Sequence, residues 1–305
     1  MSAYNVRIKP WRYTTSQRPF PRNAREDMND TRRLAAWQAQ PIAKDIIDAY
    51  EGTFGINFKF TWDDVPTLDS EELSSKHPSF INGTTVKVIN KDTLDTAIAL
   101  EAAEDILEVA RKTRVLVLNF ANATTPGGSW KAGATAQEEQ IVHRTTLIQH
   151  GLDSKLYPLK AKEGIYTSNV LVLRENENKG YFKMWIDRPE RLPLISVVSV
   201  AAEASPALDL TRKKYAGAEQ RERMENTMRS ILRLAADHGH TRLVLGALGC
   251  GVFGHPPHEV ADCWRRVLTA AEFKAWFDII VFAVYDQAND TNFKTFHAIL
   301  HDLEI

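Results

Sequence analysis

Cysteine is almost absent: Cys250 and Cys263 are the only two in 305 residues. So sparse a pair offers no disulfide framework and suits a reducing compartment, so a cytoplasmic or nuclear location is expected. No apolar run approaches the roughly 20 residues that cross a bilayer, and the opening MSAYNVRIKPWRYTTSQRPF lacks the apolar centre of a secretion signal. A membrane partner is therefore not expected. Low-complexity tracts are missing, and charge of either sign is not in excess, with 38 basic against 39 acidic side chains. That balance describes a globular protein. No RRM, zinc-finger or helix-turn-helix signature is present to read bases, and no G-x-S-x-G elbow marks a serine hydrolase.

What charge asymmetry exists lies at the front. Residues 1–33 hold Arg7, Lys9, Arg12, Arg18, Arg22, Arg25, Arg32 and Arg33 against Glu26, Asp27 and Asp30. Such an arm can meet a polyanion. The simpler reading, a solvated arm with local ion pairs, is preferred.

Residues 1–82 differ in texture from the rest. A helical stretch near Arg25–Tyr50 precedes an irregular, turn-rich region through Trp62–Pro66 and Lys76–Pro78. We expect an N-terminal helical extension, 1–82, packed on a main domain, 83–305. From Gly83 strands and helices alternate. Thr85–Ile89 is a β-branched strand; Leu94, Ile98, Ala102, Ile106 and Val109 recur at helical spacing. Arg114–Phe120 reads as a buried strand, Glu138–Gly151 as a helix and Asn169–Leu173 as a strand. Leu194–Val200 is a strand, and Glu219–His238 a helix stopped by Gly239. Strand Arg242–Leu248, helix Pro257–Ala271, strand Asp278–Tyr285 and helix Asn292–Leu300 complete the chain. This order implies a three-layer α/β/α sandwich with a largely parallel or mixed central sheet. Ligands in such sheets sit at the carboxyl ends of strands, which directs attention to the loops after Phe120 and Leu248.

The first loop, NFANATTPGGSWKAGATAQEEQ, runs from Asn119 to Gln140. Pro126-Gly127-Gly128 permits backbone angles and close approaches that side chains block, and freed amides there can hold an anion. Gln137, Glu138 and Glu139 follow where a helix begins. Acidic residues at a helix start are also stabilised by the macrodipole, so the pair alone does not establish chemistry. The second loop, GALGCGVFGHPP, spans Gly246 to Pro257. Gly249, Gly251 and Gly254 let backbone amides wrap a diphosphate in front of a helix start. Phe253 either plugs the core or lies against a ribose or base. The position is late in the chain and lacks the acidic residue of a dinucleotide oxidoreductase at its usual interval. Cys250, His255, His258 and Cys263 are all possible zinc ligands, but their spacing matches no common finger, so no metal is expected.

Together the loops resemble the catalytic domain of microbial-type poly(ADP-ribose) glycohydrolases, a branch of the macrodomain fold. The family carries three glycines, six to eight residues, then Gln-Glu-Glu. Here Gly127-Gly128-Ser129 is followed by Trp130 to Ala136 and then Gln137-Glu138-Glu139, with LNFANATTP, IYTSNVLVLR and GCGVFGHPP also similar. The resemblance runs from about Thr84 to the C-terminus and implies a macrodomain fold. It implies that Glu139 acts as acid and base on the ribosyl bond, and that Glu138 holds the ribose and polarises the site. Asn122 would contact the distal ribose, with Gly127, Gly128, Ser129 and Gln137 lining the substrate. Gly249, Cys250, Gly251, Val252, Phe253 and Gly254 would form the diphosphate loop, Phe253 facing the distal ribose. Asp92 would read the adenine amino group. No cofactor is implied. The expected partners are poly(ADP-ribose) or ADP-ribosylated proteins, with ADP-ribose as product and a monomeric chain. Ser129 departs from the third glycine, which bears on chain cleavage more than on ADP-ribose binding. A hydrolase of single ADP-ribose units and a non-catalytic ADP-ribose reader are the alternatives.

Overall fold

Continuous apolar runs such as Leu116–Phe120 and Leu194–Val200 can be satisfied only in strands covered on both faces, and that is where the chain places them. A computed structural model describes residues 24–49, 55–69, 83–104, 114–184, 191–286 and 290–305. Residues 1–23, the turn expected at 76–78, and Ile106 and Val109 lie outside those described. The strands are β1 (Asn57–Thr61), β2 (Thr85–Ile89), β3 (Leu116–Phe120), β4 (Glu163–Leu171), β5 (Leu194–Val200), β6 (Arg242–Leu245) and β7 (Ile279–Ala283). They form one seven-stranded sheet in the order β1-β4-β5-β3-β6-β7-β2. The five strands from β5 to β2 run parallel, while β4 is antiparallel to both β5 and β1. The sheet is therefore mixed, as the sequence implied.

Side chains alternate faces along each strand, and β3 feeds both cores. Leu116 and Leu118 join one cluster with Val198, Leu243, Ile280 and Phe282. On the opposite face Val115 and Val117 join Val197, Val244 and Ile165. Helices α5 (Ala218–Asp237), α6 (Pro257–Leu268) and α7 (Thr291–Leu300) cover the first cluster; Met228, Ile231, Trp264, Val267 and Phe296 are their fully buried contribution. Across the sheet, α1 (Ala24–Ala49), α2 (Thr93–Glu104), α3 (Gln137–Arg144) and the single turn α4 (Leu147–His150) cover the second. The result is the expected α/β/α sandwich.

Three local expectations are corrected. Residues 57–61, within the segment expected to be helical and then irregular, form β1, with Asn57 paired to Thr167 and Thr61 to Glu163. Lys and Asn inside NFKFT blurred its alternation, but Phe60 turns inward and is buried. The strand expected at Asn169 begins six residues earlier, at Glu163. The helix expected to run from Glu138 to Gly151 breaks at Thr145, whose backbone is extended at φ −133°. Thr145 forms an antiparallel bridge with Val172, and its Oγ1 accepts from Leu147 N. A β-branched residue with a hydroxyl competes for backbone donors and ends the helix there.

Phe60 tests how far β1 belongs to the fold. Phe60→Ala should cost about 3–5 kcal/mol, as for a core phenylalanine, read as a lowered urea midpoint with unchanged slope. A loss below about 1 kcal/mol would place β1 outside the cooperative unit.

Candidate active site

Strands β3 and β6 are parallel neighbours, so the loops after them leave from the same edge of the sheet. The Phe120 ring sits between the two loops: a Cβ on Gly246 would lie 2.8 Å from Phe120 Cζ. Beside them the segment after β5 joins the second loop, Ser205 N donating to Phe253 O at 2.9 Å.

Helix α3 carries the glutamates into this edge. Gln137, its first residue, clamps the helix to the end of β3: Nε2 donates to Leu118 O at 2.6 Å and Oε1 accepts from Phe120 N at 2.8 Å. The sequence reading grouped Gln137 with substrate-binding residues; here its amide is engaged with the strand. Glu138 and Glu139 follow, both buried. Glu138 Oε2 accepts from Asn122 N at 2.7 Å, and Asn119 Nδ2 lies 3.5 Å from Oε1. Glu139 Oε1 accepts from Ser129 N at 2.9 Å, while its Oε2 is buried without a protein partner. Both carboxylates are thus tied to backbone amides of the preceding loop. Burial pushes the Glu138 carboxyl up to about 8, and the neighbouring Glu139 charge adds to this, although the Asn122 and Gly127 amides oppose it.

The glycines are there because of the glutamates. Gly128 has φ +62°, and a Cβ on it would overlap the Glu139 carboxylate and approach Glu138 Oε2 at 3.1 Å. Gly127, at φ +74°, is packed against Trp130 and Val142. Ser129 differs: its φ is −93°, a conformation open to any residue, and its side chain is exposed. The hydroxyl in place of a third glycine therefore introduces no backbone strain. Asn122 turns its Oδ1 back onto Thr124 N and Thr125 N, both at 2.9 Å, which shapes the loop and leaves Nδ2 as its outward donor.

In the second loop, Cys250, Gly254 and His255 amides close the turn internally onto Ala247, Gly251 and Gly249 carbonyls. The amides of Gly251, Val252 and Phe253 make no such bond among the described residues. Val252 is 93% exposed and Phe253 half-buried. Helix α6 starts directly behind this loop with Pro257, so its positive end faces the same space. Gly249 cannot carry a side chain, since a Cβ there would meet the His255 ring at 2.5 Å. Cys250 reaches the site only through its backbone; its side chain packs on the core and Sγ points to Leu248 O. His255 uses both ring nitrogens, with Tyr215 OH and with Glu203 O, each at 2.7 Å. No nitrogen is left for zinc, and no cluster of ligand residues occurs among the described residues.

Asp92 lies at the far end of the same edge, in a pocket of about 760 Å³ with Thr96, Asn176 and Tyr285. Its carboxylate accepts from Arg144 Nη1 at 2.5 Å, and Asp95 accepts from Nη2 at 2.6 Å. Arg144 is fully buried and makes a structural ion pair with the two aspartates. His143, buried beside it, hydrogen-bonds Trp130 O at 2.9 Å. These two residues support the glutamate helix from below. Sequence reading missed the clamp by Gln137, because a Gln at a helix start carries no mark of where its amide points.

The comparisons with known proteins fall on these loops. The family model described as "Microbial-type PARG, catalytic domain" matches residues 59–175, which contain the first loop and both glutamates. The macro domain model matches residues 207–264, which contain the second loop. Among solved structures, poly(ADP-ribose) glycohydrolase from Thermomonospora curvata is similar at 25% identity and TM-score 0.69, covering 88% of this chain and 99% of its own. The same enzyme bound to the inhibitor ADP-HPD gives 25% and 0.67. Poly(ADP-ribose) glycohydrolase from Deinococcus radiodurans in complex with ADP-ribose gives 25% and 0.59, covering 79% and 93%. No curated protein matches the chain by sequence. No described helix is long and apolar enough to cross a membrane. One family model falls on each loop and solved relatives span the whole sandwich: the chain matches the microbial-type poly(ADP-ribose) glycohydrolase catalytic domain over residues 59–175 and has a macrodomain fold.

Proposed function

We propose that the protein hydrolyses the O-glycosidic ribose–ribose bond of poly(ADP-ribose) and releases ADP-ribose, with Glu139 as general acid and base. The observation that carries this is the state of Glu139: one oxygen fixed by the Ser129 amide, the other buried and unpartnered. A buried polar atom with no partner costs free energy unless a ligand completes it. In our reading ADP-ribose runs along the sheet edge, with adenine in the Asp92 pocket and the diphosphate on the Gly251–Phe253 amides. The distal ribose then sits between Asn122, Phe253 and the two glutamates. The same constellation and its two free thiols fit an enzyme working inside the cell, in cytoplasm or nucleus, on polymer or on ADP-ribosylated protein.

Cleavage of a glycosidic bond passes through an oxocarbenium-like transition state. The leaving oxygen must take a proton as the bond breaks, and the water that attacks must lose one. Burial keeps a proton on Glu138 at neutral pH. Glu139, the acid and base of this reading, passes a proton to the leaving 2′-oxygen. As carboxylate it then draws a proton from water, and the oxygen of that water bonds to the anomeric carbon. Glu138, fixed by Asn122 N, holds the ribose hydroxyls and restrains the pair to a single negative charge. The bound diphosphate lies close enough to oppose the developing positive charge. No step calls for a metal or a cofactor.

Glu139→Gln should lower ADP-ribose release from automodified polymer by about 10²–10⁴-fold, while calorimetry still detects ADP-ribose binding. Retained turnover would remove Glu139 from the chemistry. Glu138 also leaves a mark on stability. Its carboxyl titrates near 4.5 when unfolded and at about 8 when folded, so folding takes up a proton between those values. The stability it allows is full below its unfolded pKa and is lost as pH rises through about 8. Wild type should lose on the order of a few kcal/mol relative to Glu138→Gln between about pH 5 and about pH 9, measured by urea unfolding across that range. A pH-independent difference between the two proteins would refute the raised carboxyl.

A further inference from the structure

His255 stands where three segments of the catalytic edge meet. Its backbone closes the second loop, His255 N donating to Gly249 O at 3.0 Å. Its ring lies against Gly249, where a Cβ would come within 2.5 Å of His255 Cδ2. Nε2 is bonded to Glu203 O, in the segment after β5, and Nδ1 to Tyr215 OH, each at 2.7 Å. Tyr215 in turn closes a hairpin: it bridges Leu208 in antiparallel fashion, and Ala216 N donates to Ala207 O at 2.9 Å. Both rings are buried, and they meet edge to face with centroids 5.7 Å apart.

The chemistry of these partners fixes each proton. A peptide carbonyl only accepts, so Nε2 carries the hydrogen that goes to Glu203 O. Burial holds the imidazole pKa below its ordinary value and keeps the ring neutral. Nδ1 therefore keeps a lone pair, and the Tyr215 hydroxyl donates to it. Burial also raises the Tyr215 phenol, which stays protonated. A neutral ring with one donor and one acceptor, both engaged, has a single orientation.

That ring orients the backbone between Gly249 and His255. Within this span the amides of Gly251, Val252 and Phe253 make no backbone bond among the described residues, while Gly254 N turns inward onto Gly251 O at 3.0 Å. A Cβ on Gly251 or Gly254 would meet nothing within 4 Å, so packing does not shape the loop at either position. Glycines of that kind leave a backbone free to take many conformations. The His255 ring limits that freedom by bonding the loop to two neighbouring segments.

We propose that Tyr215 and His255 are positioning residues for ADP-ribose, holding the Gly249–His255 loop so that the Gly251, Val252 and Phe253 amides face the diphosphate. This role rests on the diphosphate lying on those amides, as given under the proposed function. Both side chains are buried and act through the loop backbone, so their effect falls on binding and not on proton transfer at Glu139.

Tyr215→Phe keeps the ring and removes one hydrogen bond. It should weaken ADP-ribose binding about tenfold by calorimetry. The KM for polymer should rise by a similar factor while kcat holds, as for a contact made equally in the ground and transition states. His255→Phe, which loses both bonds, should weaken binding further, and adding Tyr215→Phe to it should have no added effect on Kd. Tyr215→Phe alone decides the matter where His255→Phe does not fold. Urea unfolding runs alongside: a lowered midpoint with Kd and KM unchanged would make the pair merely structural and overturn the proposal. Wild type that binds no ADP-ribose would refute the diphosphate reading and this role with it. Wild-type binding with an unaltered Kd in Tyr215→Phe would refute the role alone.

Discussion

Two backbone amides, those of Asn122 and Ser129, each hold one carboxylate of the Glu138–Glu139 pair. Around that coupling the rest of the site is arranged. Carboxylates at a helix start are ordinarily solvated and gain modestly from the helix dipole. Here the loop that leaves β3 folds back over them, removes water, and supplies one fixed donor to each. The same closeness excludes any side chain at Gly128. Desolvation raises the Glu138 carboxyl, which turns a pair of surface acids into a pair that carries a proton at neutral pH.

The scaffold beneath explains why the helix can be held so firmly. Gln137 ties its first turn to Leu118 and Phe120 at the end of β3, and Arg144 ties its last turn to Asp92 and Asp95 at the start of α2. Arg144 is fully buried, and an unpaired charge there would cost about 3–5 kcal/mol, so the two aspartates fix where α3 ends. β3 itself is buried on both faces. The loop is therefore anchored by a buried strand and by polar clamps at both ends of α3.

Much of this was legible in the residue order. The alternation of buried strands and amphipathic helices determined a three-layer sandwich, and the two glycine loops were placed correctly at strand ends. What the order did not reveal follows from side-chain direction and from pairing at long range. β1 is short and polar on one face, and only its ladder with Glu163–Thr167 defines it as a strand. Gln137 and Asn122 belong to a motif that suggests ligand contact, yet both direct side-chain atoms to the backbone around them. Cys250 sits within the second glycine loop while its thiol packs into the core. Ser129 looked like an obstacle in place of glycine, but its backbone angle is ordinary and its side chain is exposed. Motif spacing identifies which backbone approaches a ligand; it does not say which side chains turn away.

The central claim is that the glutamate pair holds a proton at neutral pH because it is buried under the glycine loop. Carbon-13 NMR of protein labelled at glutamate side-chain carboxyls, with the Glu138 resonance assigned by its loss in Glu138→Gln, tests this directly. The account predicts that this carboxyl titrates at about 8. A Glu138 resonance that titrates near the ordinary 4.5 would mean that the loop leaves the pair solvated, and would contradict the account.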